Sequence, residues 1–153
     1  MSVPVKNRKP TTMKFLDLSS QLYLYTTRVT SVKVKRRKDK SGKYIDASQT
    51  ILPLRYSQTI GRELFEKASK IRDYIIMANE IKVISQINFN KRYEYQEEAK
   101  RLIVSMMDKI DQSFILINYN ANAHKEWSKL CYDLLKSVRG WQAADLKRFS
   151  NKS

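Results

Sequence analysis

The sequence predicts an all-α protein: an antiparallel four-helix bundle with a basic loop or small hairpin between helices 1 and 2. Three observations predict it. Apolar residues recur at intervals of three and four in four separate stretches. The chain holds only 3 Gly and 3 Pro in 153 residues, too few for a fold built on many tight turns. The connections joining stretches two, three and four are short, which favours antiparallel neighbours. A chain of this length is expected to be one domain, 1–153, with flexible ends over 1–11 and 149–153. It is long enough to bury a core without disulfides or metal.

The first stretch follows Thr11 and Thr12, either of which suits a helix N-cap. Phe15, Leu18, Leu22, Tyr25, Val29 and Val32 are spaced 3, 4, 3, 4, 3, which is a seam facing a partner helix. From Thr30 the pattern changes. Val32-Lys33-Val34-Lys35 alternates with period two, and Tyr44 and Ile45 form its return across Asp39, Ser41 and Gly42. Residues 30–48 are therefore either a helix end with a basic loop or a small hairpin, and 36–52 is a long basic connection.

The second stretch is expected after Pro53, with Ser57 as its cap. Ile60, Leu64, Lys67 or Ala68, Ile71, Ile75, Ala78 and Lys82 mark its stripe, and Ile76, Met77, Ile81, Val83, Ile84 and Ile87 widen it. Asn88–Asn90 reads as the break, so the third stretch is expected near Lys91. There Tyr95, Ala99, Leu102, Met106, Ile110, Ser113 and Ile117 line one face. Asn118 to Asn122 reads as a loop. The fourth stretch carries Trp127, Cys131, Leu134, Val138 and Trp141 at spacings 4, 3, 4, 3 and continues to Lys147.

Composition narrows the function. One Cys and one His exclude a disulfide framework, a Cys-based zinc site and a two-His relay. No apolar run approaches the roughly 18 residues of a membrane span. The basic start MSVPVKNRKPTTMK lacks an apolar segment behind it, so no secretory signal is expected and a cytoplasmic location is. No Gly-rich phosphate loop and no Ser/His/Asp arrangement is visible. Glu94, Glu97 and Glu98 stand among cations at 91, 92, 100 and 101, which suits a salt-bridged face. Cys131 lies on the seam, as a buried structural thiol does. No catalytic residue, metal or cofactor is expected.

Charge is the positive clue. The chain has 30 Lys+Arg against 15 Asp+Glu, a formal net charge of +15. Residues 1–55 hold 13 cations and 3 acids, so two thirds of the excess lies in about a third of the chain. Such an excess points to a polyanionic partner, nucleic acid first. Lys33, Lys35, Arg36, Arg37, Lys38, Lys40 and Lys43 form the densest run, with Asp39 alone against them. Lys and Arg neutralise phosphates without reading bases, so this run predicts salt-dependent backbone binding. Lys136, Arg139, Lys147 and Arg148 are a second basic set, suited to extending a phosphate track or to a solvated helix end. The nine Tyr are dispersed and do not form an RNA-recognition signature.

The stretch Leu52-Pro53-Leu54-Arg55-Tyr56-Ser57-Gln58-Thr59-Ile60-Gly61-Arg62-Glu63-Leu64 resembles the second-helix entry of a four-helix-bundle family. That family comprises the accessory variability determinant proteins of diversity-generating retroelements and the related ribosomal RNA intervening-sequence proteins. Pro53, Thr59, Ile60, Gly61 and Leu64 fall in its pattern; Ala78-Asn79 resembles its second-helix end, and Gly140-Trp141 its closing Gly-Trp. Leu54 and Ser57 stand where the family favours Lys and Arg, and Arg139 replaces the first Gly of Gly-Gly-Trp. Arg55 and Arg62 offer cations at neighbouring positions. Gly61 and Gly140 each call for a reason inside a helix, and close approach to a neighbour is the simplest. For Gly140 that means a gap beside the anchor Trp141.

The resemblance implies a non-catalytic accessory subunit. It would bind a retroelement reverse transcriptase and its RNA, or DNA or an RNA/DNA hybrid, and support cDNA synthesis in mutagenic retrohoming. It also implies a homopentamer away from membranes. The alternatives are an RNA-binding bundle of the intervening-sequence type and a bundle that only scaffolds a protein partner.

Overall fold

The computed structural model describes residues 14–30, 33–38, 40–42, 44–49, 52 and 56–149. The expected caps Thr11 and Thr12, the seam residue Val32, the flexible ends 1–11 and 150–153, and Lys43, Pro53 and Arg55 lie outside these residues. The first seam becomes helix α1, Lys14–Thr30, which buries Phe15, Leu18, Leu22 and Val29 with Ser19 and Thr26. Strands β1, Lys33–Lys38, and β2, Tyr44–Gln49, follow and pair antiparallel, Lys33 opposite Gln49 and Lys38 opposite Tyr44. Gly42 in the turn has φ +86°, a conformation that favours glycine.

The second helix enters differently from expectation. Ser57 is not an N-cap. It opens a π-helical turn, Ser57–Gly61, flanked by Tyr56, whose side chain makes no capping bond. Helix α2, Arg62–Glu80, continues from it and buries Leu64, Ala68, Ile71, Ile75 and Ala78. Gly61 is placed as the close-approach argument requires. A Cβ there would lie 3.3 Å from Thr30 Cβ and 3.5 Å from Leu52 Cδ1.

The break between α2 and the next helix is also a correction. It lies at 81–85, not at Asn88–Asn90. Ile81 is extended (φ −77°, ψ 115°), and α3 runs from Gln86 to Ile117. Ser85 explains the shift: its Oγ accepts the Asn88 backbone N–H at 3.2 Å and caps the new helix. Asn90 Oδ1 accepts from Gln86 inside the first turns. The apolar run across the corner therefore never forms a stripe. Val83 packs with Phe89 and Phe149, while Ile84 and Ile87 are 82% and 79% exposed.

Helix α3 ends at Asn118, which takes the left-handed conformation (φ 52°) and donates its N–H to Phe114 O at 2.7 Å. Asn120 Oδ1 accepts from Asn122 N and Ala123 N, opening α4, Ala121–Phe149. The last helix reaches two residues past Lys147, and Phe149 is buried.

The four helices close a ring: α1 meets α2 and α4, and α3 meets α2 and α4. Phe15 stacks on Trp141, and Thr26 accepts from Trp127. Glu63 pairs with Lys109, and Arg92 with Asp145. Inside the ring Leu22, Leu52, Ile71, Ile103, Met106, Ile110, Trp127 and Leu134 are fully buried. The larger anchor is Trp127, whose indole N–H donates to Thr26 Oγ1 at 2.9 Å. Trp141 is only half-buried, and Gly140 beside it is exposed, with nothing within 4 Å of where a Cβ would stand. The close approach expected at Gly140 is absent, because that position lies off the seam formed by 134, 138 and 141. Among the described residues no helix is long and apolar enough to cross a membrane.

Candidate nucleic-acid interface

The hairpin concentrates the charge because its first strand is almost all Lys and Arg. Five of the six β1 positions are cationic: Lys33, Lys35, Arg36, Arg37 and Lys38. The residues opposite are Gln49, Ala47, Asp46, Ile45 and Tyr44, so only Arg36 faces a carboxylate-bearing residue across the ladder. Lys40 is exposed in the turn. Tyr44 stands opposite Lys38 at the turn end.

The remaining expected cations are scattered. Arg62 is exposed and pairs with Glu66 at 3.6 Å, a weak contact in water. Lys136, Arg139, Lys147 and Arg148 are all exposed on α4, but they do not form one track. At 100° per residue, Arg139 and Arg148 point to opposite sides of the helix. Arg139 borders the groove between α3 and α4 beside Val104 and Leu135, whereas Arg148 borders a cavity beside Lys14 and Trp141.

Several of the acidic residues are engaged. Glu97 accepts from Lys100 at 2.6 Å and from Gln142 at 2.8 Å, and Lys100 first, then Gln142, holds its carboxyl below the usual carboxylate range. Glu98 pairs with Arg101. His124 contacts Asp111 at 2.9 Å and stacks on Phe114. Burial pushes the Cys131 thiol up to about 12, so it carries almost no thiolate at neutral pH. Burial also raises the Tyr119 hydroxyl, whose proton is donated to Ile110 O.

One cluster escaped the sequence reading. Asp145 is 3% exposed and lies 2.8 Å from Arg92 Nε, and it also accepts from Gln96 Nε2 at 2.8 Å. Arg92 donates as well to Ile81 O, tying the 81–85 corner to α4. The available signal was a carboxylate seven residues past Val138, on the seam itself. No protein-family model, curated protein or solved structure matches this chain.

Proposed function

We propose that this chain is an antiparallel four-helix bundle that binds the phosphate backbone of nucleic acid through the basic hairpin between α1 and α2. It acts as a non-catalytic accessory subunit. The observation that carries the reading is the β1 ladder, with five cations in six positions and one carboxylate-bearing residue opposite them. Phosphate contacts of this kind need density of charge rather than fixed geometry, which a two-stranded ribbon supplies. The resemblance of Leu52–Leu64 and Gly140-Trp141 extends the reading: the partner is a retroelement reverse transcriptase with its template RNA, and the assembly is a homopentamer.

The test is binding of labelled structured RNA at several salt concentrations, with molar mass read by light scattering. Seven hairpin cations give a log–log salt slope of about −5 to −6 if all are engaged. Reversing Lys35, Arg36, Arg37 and Lys38 to Glu should flatten that slope by at least about 3 while helicity is unchanged. A slope that the reversal leaves unchanged would remove the hairpin as the main contact. No binding at low salt would move the charge to docking on an acidic protein.

A further inference from the structure

A second cationic place lies away from the hairpin. Where α1 begins and α2 and α4 end, a cavity of about 310 Å³ opens. Trp141 lines it, stacked on Phe15 at 3.9 Å and lying 5.0 Å from the Arg92 guanidinium. The indole is thus already engaged by a ring and a cation. Arg92 and Asp145 neutralise each other in the wall, and both Asp145 oxygens already accept hydrogen bonds.

The free chemistry of the cavity is different. Lys14 and Arg148 stand exposed at its rim, and neither has a carboxylate partner among the described residues. Arg148 rests 5.8 Å from the Phe149 ring, which orients it without neutralising it. Ser137 and Asn79, both half-buried, add a hydroxyl and an amide to the lining. The cavity therefore offers two uncompensated positive charges beside two neutral donors.

We propose that this cavity binds a phosphomonoester dianion. Such a group carries about −1.5 to −2 charges and three strong acceptor oxygens, which matches two cations and two donors. An internal phosphodiester carries one charge and two ester arms, and matches worse. The volume is at the lower end of small-ligand pockets, suited to a terminal group and not to a duplex. The inference deepens the proposed function, because the 5′ end of a nucleic acid is one source of this group; a free mononucleotide is the other.

The experiment compares one short single-stranded RNA bearing a 5′-phosphate or a 5′-hydroxyl. Adenosine 5′-monophosphate and adenosine are titrated in parallel, read by tryptophan fluorescence. The 5′-phosphate form should bind about tenfold more tightly, as two charge-assisted contacts allow. Lys14→Gln with Arg148→Gln should abolish the difference, both residues being exposed and outside the core. The hairpin Glu variant should keep the difference while binding more weakly overall. Saturable quenching by the monophosphate but not the nucleoside would support the cavity and name a free nucleotide as a sufficient source. This arm stands even if the protein binds neither form of the RNA, so failure of the nucleic-acid reading and failure of the cavity are separable. Equal binding of the two RNAs with no response to the monophosphate would overturn the proposal, as would a preference that survives the double variant.

Discussion

Two glycines inside helical turns make a matched experiment. An Ala in place of Gly gains about 1 kcal/mol in a helix interior when the new methyl meets nothing. Gly140 meets that condition, being exposed with no atom within 4 Å of an added Cβ. Gly140→Ala should therefore stabilise by about 1 kcal/mol and raise Tm by about 2–4 °C for a chain of this size. Gly61 is the opposite case. An added Cβ would stand 3.3 Å from Thr30 Cβ and 3.4 Å from Thr30 Cγ2. Thr30 yields poorly, since its hydroxyl donates to Thr26 O at 2.8 Å at the end of α1. Crowding of this kind costs about 1–3 kcal/mol, which cancels or exceeds the helical gain. Gly61→Ala should leave Tm unchanged or lower it. Melting of both variants by far-UV circular dichroism decides. If Gly61→Ala raised Tm as much as Gly140→Ala, close approach would not be the reason for the glycine. If Gly140→Ala lowered it, the face of α4 around that residue would not be free.

The two tryptophans should separate in urea melts. Trp127→Ala removes a fully buried ring and strands the buried Thr26 hydroxyl, a loss of about 3–5 kcal/mol. Trp141→Ala, which loses a stack and a cation–π contact from a half-buried site, should cost about 2 kcal/mol; the reverse order would misplace the core. Cys131 should resist a thiol reagent at pH 8 in the folded chain and react on unfolding, and fast native reaction would contradict its burial. Glu97 has its folded value depressed by Lys100 and Gln142, so its contribution is present above the ordinary carboxylate value and is lost as pH falls through the folded one. Acid titrations of the parent chain and Glu97→Gln should therefore converge at low pH and diverge toward neutrality, and parallel curves would remove the linkage.

Much of the core was legible because its helices are seams. Phe15, Leu18, Leu22 and Val29, then Leu64, Ile71 and Ile75, then Cys131, Leu134 and Val138 repeat at three and four and are all buried. The corner at 81–85 was not legible. Ile81, Val83, Ile84 and Ile87 are apolar enough to extend a stripe, and the asparagines after them resemble a break. The deciding interaction is one hydroxyl, Ser85 on the Asn88 N–H, and a Ser offers that bond wherever it stands. Gly140-Trp141 misled for a related reason. Residue type suggests an anchor with a gap beside it, but a one-residue offset on a helix turns a position by 100° and puts Gly140 in water. Asp145 was hidden because its partners, Arg92 and Gln96, come from a helix about fifty residues earlier.

The distribution of paired charge bears on where function resides. Within the helices Arg62, Arg92, Lys100, Arg101 and Lys109 have carboxylate partners, while Lys14 and Arg148 have none among the described residues. Residues 33–49 hold seven cations and two carboxylates, Asp39 and Asp46. Blocks of like charge repel and add nothing to packing. Repulsion of that kind does not help a hairpin fold. In the proposed function, a polyanion bound along the ribbon would relieve it. The hairpin's charge is therefore separable from the bundle's packing. That is why charge reversal there should change binding and leave the helices as they are.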